Sequence, residues 1–223
     1  MKKGKLIVIE GASDGIGKTT QFELLKERLL KDGEVIVNHH FPSYNQYQGK
    51  MVEEYLKGNY GDLKDLSPYF VNCLYAVDRA VTCNLKLNEG YQNGEFILLD
   101  RYTSSSLIYQ SALIEDIEEK KKFLDYIIDF EYNKLGVIKP DKTIFLYAPL
   151  EIINEMRRKR KEELGEAIEG DIHENDLEFM KKVYDSAMFV ADYLKWDKIN
   201  CSDGEKMKSI EEIHEDIYKT IKG

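Results

Sequence analysis

The segment EGASDGIGKTT, residues 10–20, constrains the fold more than any other part of this chain. It separates an apolar run at 6–9 from an amphipathic helical pattern at 19–31. A glycine-rich turn between a strand and a helix, ending in Gly-Lys-Thr, is typical of a phosphate-binding (Walker A) loop. Backbone N–H groups of such a loop, with the N-terminus of the following helix, surround the phosphates of a nucleotide. The alternative is a glycine-rich turn that binds no ligand.

This phosphate loop (residues 10–20) gives several side chains an expected role. Lys18 would reach the β- and γ-phosphates of ATP, and the Thr19 hydroxyl would bind Mg²⁺. The first glycine of the pattern is replaced by Ala12 in the strict frame, or is Gly11 in a loop one residue longer. The predicted ATP-binding residues are Gly11, Ser13, Gly15, Ile16, Gly17, Lys18, Thr19 and Thr20.

The rest of the chain alternates short apolar runs with longer helical patterns. Strands are predicted at 6–9, 34–40, 96–99, 143–147 and 198–201. Helices are predicted at 19–31, 69–87, 117–135, 150–164, 176–194 and 210–221. Because parallel strands need crossover connections, this order predicts an α/β fold with a five-stranded parallel sheet covered by helices on both faces. No linker or repeat divides the chain, so one domain over 1–223 is expected.

Composition limits the classes of function. The 223 residues include 41 acidic and 32 basic side chains, a net charge of −9, which argues against a general grip on nucleic acid backbones. The apolar runs are too short to span a bilayer, and the N-terminus lacks a signal-peptide pattern. Cys73, Cys83 and Cys201 lack the spacing of a zinc site or a disulfide framework. These features predict a cytoplasmic protein without a nucleic acid or membrane partner.

Three later segments follow the phosphate loop in a known order. Residues 74–80 read LYAVDRA, residues 100–110 read DRYTSSSLIYQ and residues 139–143 read KPDKT. With the phosphate loop, these resemble the base-binding helix, the D-R-Y-x-x-S-x-x-x-Y-Q segment and the entry to the fourth strand of the thymidylate (dTMP) kinase family. Residues 174–183 resemble the end of the lid of that family.

The resemblance implies a three-layer P-loop kinase fold with a mobile lid at approximately 157–175. It implies the reaction ATP + dTMP → ADP + dTDP, with Mg²⁺ beside ATP, as one step of dTTP synthesis. The acceptor phosphate, largely dianionic above its second pKa of about 6, would attack the γ-phosphoryl group without a general base. A homodimer formed through helices near 69–87 is implied as well.

The resemblance also gives roles to the residues that would bind dTMP. Arg101 would bind the acceptor phosphate with its planar fork, and Asp14 would approach the sugar 3′-hydroxyl and the metal. Tyr75 would stack on the pyrimidine while Arg79, four residues later on the same helix face, binds a carbonyl. Without the neighbouring motifs, a core tyrosine and a surface arginine would explain that pair equally well. The predicted substrate-binding residues are Asp14, Tyr75, Arg79, Arg101, Ser105, Ser106, Tyr109 and Gln110. Among these, Tyr109 would crowd the sugar 2′ position and so favour deoxyribose.

Asp100 ends a buried apolar run, a position from which a carboxylate can order water on Mg²⁺. Its alternative role is to cap the helix that follows. The predicted metal-binding residues are therefore Thr19, Asp14 and Asp100.

A basic run at 157–161 ends a helical pattern, and such runs are commonly solvated faces. The phosphate loop carries no arginine, and relatives of that kind supply the missing cation from the lid. The predicted catalytic residues are Lys18, Arg101, Arg157, Arg158 and Arg160, with the choice among the last three left open.

Three positions depart from the family pattern: Ile172 stands in place of a lid arginine, Tyr147 in place of an aspartate, and Ser43 in place of an arginine after the proline. Two other functions fit parts of the sequence. A deoxynucleoside kinase needs a base for a 5′-hydroxyl; residues 41–52 contain no Asp or Glu, although Glu10 or Asp14 could serve. A P-loop switch protein would bind nucleotide but would need no acceptor pocket.

Overall fold

Five parallel strands form the centre of the fold in the spatial order β2-β3-β1-β4-β5. The computed structural model describes residues 3–62, 65–164 and 177–222, except for the side chains of 160–164 and 177. The strands are β1 (Lys5–Gly11), β2 (Ile36–His40), β3 (Phe96–Asp100), β4 (Lys142–Tyr147) and β5 (Asp197–Asn200). All five predicted strands are confirmed, as is the parallel sheet.

Helices connect the strands and cover both faces of the sheet. They are α1 (Lys18–Lys31), α2 (Lys50–Leu56), α3 (Pro68–Thr82), α4 (Asn88–Gln92), α5 (Thr103–Tyr109), α6 (Ile117–Ile128), α7 (Leu150–Leu164), α8 (Leu177–Tyr193) and α9 (Ile210–Lys222). Two of them continue into π-helical turns, Cys83–Leu87 after α3 and Asp129–Lys134 after α6. Across the described ranges, none of the helices is long and apolar enough to cross a membrane.

The two faces of β1 explain why its sequence is apolar from Leu6 to Ile9. Ile7 and Ile9 pack in one cluster with side chains of α1 and α9, whereas Leu6 and Val8 pack on the opposite face against β3 and the end of α3. A strand buried on both faces gains from an apolar side chain at every position, rather than at alternate ones.

The polar residues at the ends of the strands lie at one edge of this sheet. Ile9 is in register with Asp100 on β3, and Gly11 with Leu146 on β4. The parallel register therefore brings the phosphate loop and the segment 100–110 together at the carboxyl ends of the strands. This edge is where α/β sheets place their ligands.

Candidate active site

The phosphate loop connects the end of β1 to the start of α1 by a tight turn. Gly15 (φ +88°) and Gly17 (φ +96°) adopt left-handed conformations that favour glycine. A Cβ on Gly11 would lie 2.6 Å from the side chain of Ile16, so a larger residue does not fit there. Ala12 is instead packed in the core and its N–H donates to Leu146 O at 2.9 Å. The close packing favours Gly11 as the first glycine of the loop.

Asp14 joins three residues that the sequence assigns to ligand binding. Its Oδ1 accepts hydrogen bonds from Lys18 Nζ, at 3.1 Å, and from Arg101 Nη2. Its Oδ2 accepts one from the Tyr109 hydroxyl at 3.1 Å. Burial alone would raise the pKa of Asp14, but Arg101 and Lys18 outweigh it and hold the pKa well below its usual range. The carboxyl group is therefore ionised at neutral pH.

Arg101 occupies a left-handed conformation, φ +61°, directly after β3. That region is strained for a residue with a Cβ, and such residues cluster at functional sites. Its backbone N–H donates to Ile9 O at 3.2 Å, which fixes the turn beside the phosphate loop. Burial acts to lower the pKa of Arg101, but Asp14 and Tyr109 raise it well above its ordinary value. The guanidinium is a permanent cation at the edge of the sheet.

A cavity of about 220 Å³ lies beside this cluster. All the predicted substrate-binding residues line it: Asp14, Tyr75, Arg79, Arg101, Ser105, Ser106, Tyr109 and Gln110. The cavity is also lined by residues that the sequence motifs do not assign to substrate binding: His40, Phe41, Pro42, Tyr44, Leu56 and Tyr102. The position of His40 at the end of β2, next to Asp100 in register, is the signal that could have identified it.

Tyr75 and Arg79 lie on the same face of α3, as their spacing predicts. The guanidinium carbon of Arg79 is 6.0 Å from the centre of the Tyr75 ring. Arg79 is only 1% exposed, which rules out a surface arginine. Its Nε and Nη2 each donate a 2.6 Å hydrogen bond to Glu131, and Nη2 also donates to Ser106 Oγ at 2.8 Å. The fork that lines the cavity is thus already part of a buried ion pair.

The polar groups of Ser105 on α5 and of Gln110, directly after this helix, differ in what they offer to a ligand. Ser105 Oγ donates a 2.6 Å hydrogen bond to Glu10 Oε2, so this hydroxyl proton is already used. Gln110 is 2% exposed, and its Oε1 is buried without a hydrogen-bond donor in the described part of the chain. A buried acceptor of this kind is costly unless a ligand or water supplies a donor.

Glu10, one of the two bases considered for a nucleoside kinase, is fully engaged. Its Oε2 accepts hydrogen bonds from Ser104 Oγ at 2.9 Å and from Ser105 Oγ, and its Oε1 from the N–H of Gly11 at 3.0 Å. The residue is 0% exposed and ties the end of β1 to α5.

Asp100 pairs with His40, whose Nδ1 lies 3.0 Å from Oδ2. Burial works to raise the pKa of Asp100, but His40 and Lys18 outweigh it and lower the pKa. Oδ1 is buried and has no partner among the described residues. The alternative role of Asp100, as a cap of the following helix, is not supported, because the N-terminus of α5 has no side-chain cap. The carboxylate oxygen is free to order water around a hard cation.

The chain carries no protein cage for a metal among the residues that the structure describes: His, Cys, Asp and Glu form no group of three or more there. A Mg²⁺ ion that enters with nucleotide keeps several waters and needs only one or two protein contacts. The Thr19 hydroxyl, exposed on the first turn of α1, and Asp100 Oδ1 fit that requirement. Asp14, the third predicted metal residue, already holds Lys18, Arg101 and Tyr109 with both oxygens.

Helix α7 brings one of the predicted lid cations to the phosphate loop. A Cβ on Gly15 would lie 2.4 Å from Arg157 Cγ, so the Arg157 side chain passes directly over this glycine. Arg158, the next residue, is exposed. The side chain of Arg160 and all of Ile172 lie outside the described residues.

The two other departures from the family pattern lie within the described part. The Ser43 N–H donates to Asp78 Oδ2 at 2.8 Å, and its hydroxyl lies 2.8 Å from His39 Nε2. Ser43 therefore faces a buried polar network and brings no cation to the cavity. Tyr147 ends β4 and stacks on Phe145 with ring centres 6.4 Å apart, outside the cavity.

The fold and the sequence match one family over nearly the whole chain. A model of the family described as "Thymidylate kinase" matches residues 9–217. A thymidylate kinase of Thermoanaerobacter sp. (strain X514) is 30% identical over 226 residues, covering 99% of this chain and 98% of the relative. One from Prochlorococcus marinus (strain NATL2A) is 30% identical over 223 residues, covering 99% of both.

A solved structure agrees with these matches. The thymidylate kinase of Candida albicans, described as having broad substrate specificity, superposes with a TM-score of 0.73 at 25% identity. The superposition covers 99% of this chain and 92% of that chain. The ordered motifs, the parallel sheet and these relatives lead to one conclusion: the chain belongs to the thymidylate kinase family.

Proposed function

We propose that this chain transfers the γ-phosphoryl group of ATP to dTMP, giving ADP and dTDP. One observation carries the proposal: Asp14 holds the phosphate-loop cation Lys18 and the cavity cation Arg101 on the same carboxylate oxygen. Two phosphate sites that share this boundary would bring a donor and an acceptor phosphate together. Family membership supports the same reaction.

The acceptor phosphate would bind to Arg101. A guanidinium presents a planar fork to two phosphate oxygens, which a lysine cannot do. Arg101 is oriented by Asp14 and by Tyr109, whose hydroxyl lies 3.4 Å from Nη1. Because both partners are held by the fold, little side-chain entropy is lost when the phosphate binds.

The transfer step would depend on position and charge rather than on a base. The dianionic acceptor is its own nucleophile, and a loose phosphoryl transition state gains most from fixed cations. Lys18 supplies one such cation at the phosphate loop. Arg157 is the lid cation that the geometry favours, because it lies against Gly15 while Arg158 is exposed.

Magnesium would be held by Thr19 and Asp100, in both cases beside the phosphates of ATP. When bound with ATP, Mg²⁺ neutralises charge on the β- and γ-phosphate oxygens. Asp100 is oriented for this role by His40, and Thr19 by the helical start of α1.

The base would be recognised by complementary donors and acceptors. Gln110 Oε1 is a buried acceptor that lacks a donor among the described residues, and thymine N3–H is a donor. Arg79 presents only donors, which suits a carbonyl oxygen of thymine. Tyr75 also lines the cavity, with its ring centre 6.0 Å from the Arg79 guanidinium, and offers a ring for stacking. Tyr109, beside Asp14, would limit the space at the sugar 2′ position.

The assembly that we propose is a homodimer formed through α3. Tyr69, Cys73 and Val77 recur every four residues and so share one helix face. Tyr69 and Val77 are each 42% exposed, and the ring of Tyr126 on α6 lies 4.9 Å from that of Tyr69. Exposed apolar side chains that share one helix face in this way are typical of a protein interface.

The cellular location that we propose is the cytoplasm. Cys73, Cys83 and Cys201 are free thiols, and burial raises the pKa of Cys83 and Cys201, the latter to about 12. The raised pKa makes Cys83 and Cys201 poor nucleophiles, and unpaired cysteines fit a reducing compartment.

A coupled assay of ADP release tests the proposed reaction. Acceptors to compare are dTMP, dUMP, dCMP, dGMP and thymidine, with an acceptor-free control. We expect the highest kcat/KM for dTMP and the lowest for thymidine, because Arg101 suits a phosphate rather than a hydroxyl. A higher value for thymidine would support the nucleoside kinase instead, and equal ADP release without acceptor would support a nucleotide-hydrolysing switch.

A further inference from the structure

Glu131 is a buried carboxylate that has no role in the proposed reaction so far. It lies in the π-helical turn Asp129–Lys134 and is 0% exposed. Its Oε1 accepts a 2.6 Å hydrogen bond from Arg79 Nη2. Its Oε2 accepts a 2.6 Å bond from Arg79 Nε and a 2.9 Å bond from Thr103 Oγ1. The pair is bidentate, so both the position and the plane of the guanidinium are fixed.

This pairing decides which donor of Arg79 is left for a ligand. Nε and one N–H of Nη2 are used by Glu131, and Nη2 also donates to Ser106 Oγ at 2.8 Å. Nη1 makes only a long contact, 3.4 Å, to Tyr102 O. Since a guanidinium has five N–H groups, Nη1 keeps the most donor capacity. A base contact from Arg79, which lines the cavity, would therefore come from Nη1.

We propose that Glu131 is a positioning residue for base selection, which rests on the proposed function. By holding Arg79 in one orientation, it directs Nη1 at position 4 of the pyrimidine. A carbonyl there, as in thymine or uracil, accepts the hydrogen bond. The amino group of cytosine would instead place donor against donor in a buried site, and such mismatches discriminate strongly. Without the carboxylate, Arg79 could turn away and the mismatch would be relieved.

The test is to measure kcat/KM of the full chain for dTMP, dUMP and dCMP in the wild type and in Glu131→Gln. We expect the dTMP:dCMP ratio to fall by about 10-fold or more, because the fork is no longer fixed. The dTMP:dUMP ratio and the KM for ATP should stay unchanged, since both bases carry the carbonyl and ATP binds elsewhere. A residue with a merely structural role would not change one ratio and spare the other.

Leu124→Ala is the matched control. Leu124 is buried on α6 in the apolar cluster that contains Phe145 and takes no part in the ion pair. Its truncation should lower the midpoint of thermal unfolding while leaving the dTMP:dCMP ratio at the wild-type value.

Glu131→Gln leaves the Arg79 cation without its carboxylate, and an unpaired buried charge is strongly destabilising. A second variant covers the case in which Glu131→Gln does not fold for this reason. Glu131→Asp keeps the charge but withdraws it by one methylene group, and should lower the dTMP:dCMP ratio by about 3-fold or more. If a folded Gln or Asp variant keeps the wild-type ratio, the inference is wrong. Calorimetric Kd values for the same nucleotides give this ratio without turnover. Absence of dTMP phosphorylation by the wild type would contradict the proposed function instead.

Discussion

At the scale of single residues, Asp14 explains how two cations can lie close together at one site. Lys18 and Arg101 would repel each other, but both donate to Oδ1 of this ionised carboxylate. A phosphate group that enters the site competes with Asp14 for donors that are already oriented. The electrostatic cost of gathering the cations is therefore met during folding rather than during binding.

Arg101→Lys tests the fork at this residue. The variant keeps the charge but loses bidentate geometry, so we expect a loss of about 1–3 kcal/mol in kcat/KM for dTMP. Steady-state kinetics measure it, with Arg28→Lys as the control. Arg28 pairs with Glu215 on the surface, so its replacement should change kcat/KM little. If Arg101→Lys and Arg28→Lys changed kcat/KM for dTMP equally, Arg101 would not bind the acceptor phosphate in the proposed way.

His39 gives a prediction for the pH dependence of stability. It is 7% exposed, and burial, with Lys86 and His40, lowers its pKa to about 4. The unfolded chain, with a histidine pKa near 6.5, binds this proton at higher pH than the folded chain does. The contribution of His39 to the free energy of unfolding is thus complete above about pH 6.5 and is lost as the pH falls towards 4. Urea unfolding measures the free energy of unfolding at pH 7 and at pH 5. The difference between these two values should be smaller in His39→Gln than in the wild type.

At the scale of elements, α7 brings Arg157 from the edge of the sheet to the phosphate loop. Pro149 directly precedes the helix, and Arg157, at the middle of α7, lies over Gly15. The left-handed glycine provides the space that the side chain occupies. The sequence shows the basic run but not which member faces the loop, because adjacent helix residues point about 100° apart and the register depends on how α7 packs.

Arg157→Ala should lower kcat by about 10²-fold or more and change the KM for ATP less, because the cation acts on charge that develops in the transition state. Arg158→Ala is the matched control and should be mild, as exposed charges usually are. Both are read from steady-state kinetics with dTMP. Wild-type kcat in Arg157→Ala would place the catalytic cation elsewhere.

The elements differ in how far the sequence predicts them. The central strands β1, β3 and β4 are predictable because burial on both faces gives continuous apolar runs. Helix α2 lies outside the predicted helices, and α5 is indicated only as the helix that Asp100 could cap. Each has seven residues, too few for a periodic pattern, and α5 begins Thr-Ser-Ser-Ser. These helices form through tertiary contacts rather than through their own propensity.

At the scale of the whole molecule, the motifs predict which residues meet but not how they are paired. The parallel register brings Asp14 and Arg101 together from positions 87 residues apart, as the order of motifs requires. The pairing of Arg79 with Glu131 could not be predicted, because Glu131 lies outside every motif and meets α3 and α5 only through the tertiary fold. Buried partners of this kind carry no local sequence signal.

The proposed dimer gives a prediction at the same scale. Val77→Glu puts a charge in the exposed face of α3, and desolvating it would oppose association. We expect the wild type to be a dimer and this variant a monomer by analytical ultracentrifugation. Leu30→Glu, at an exposed apolar position on α1, is the control and should remain a dimer. A monomeric wild type would contradict the assembly.

The most direct test of the account is to follow the label from [γ-³²P]ATP in the presence of dTMP and of thymidine. We expect labelled dTDP from dTMP and almost no labelled dTMP from thymidine. In Lys18→Ala the amount of labelled dTDP should fall by about 10²-fold or more. Label that appears in dTMP from thymidine, or only in inorganic phosphate, would contradict the assignment of a nucleotide phosphate as the acceptor.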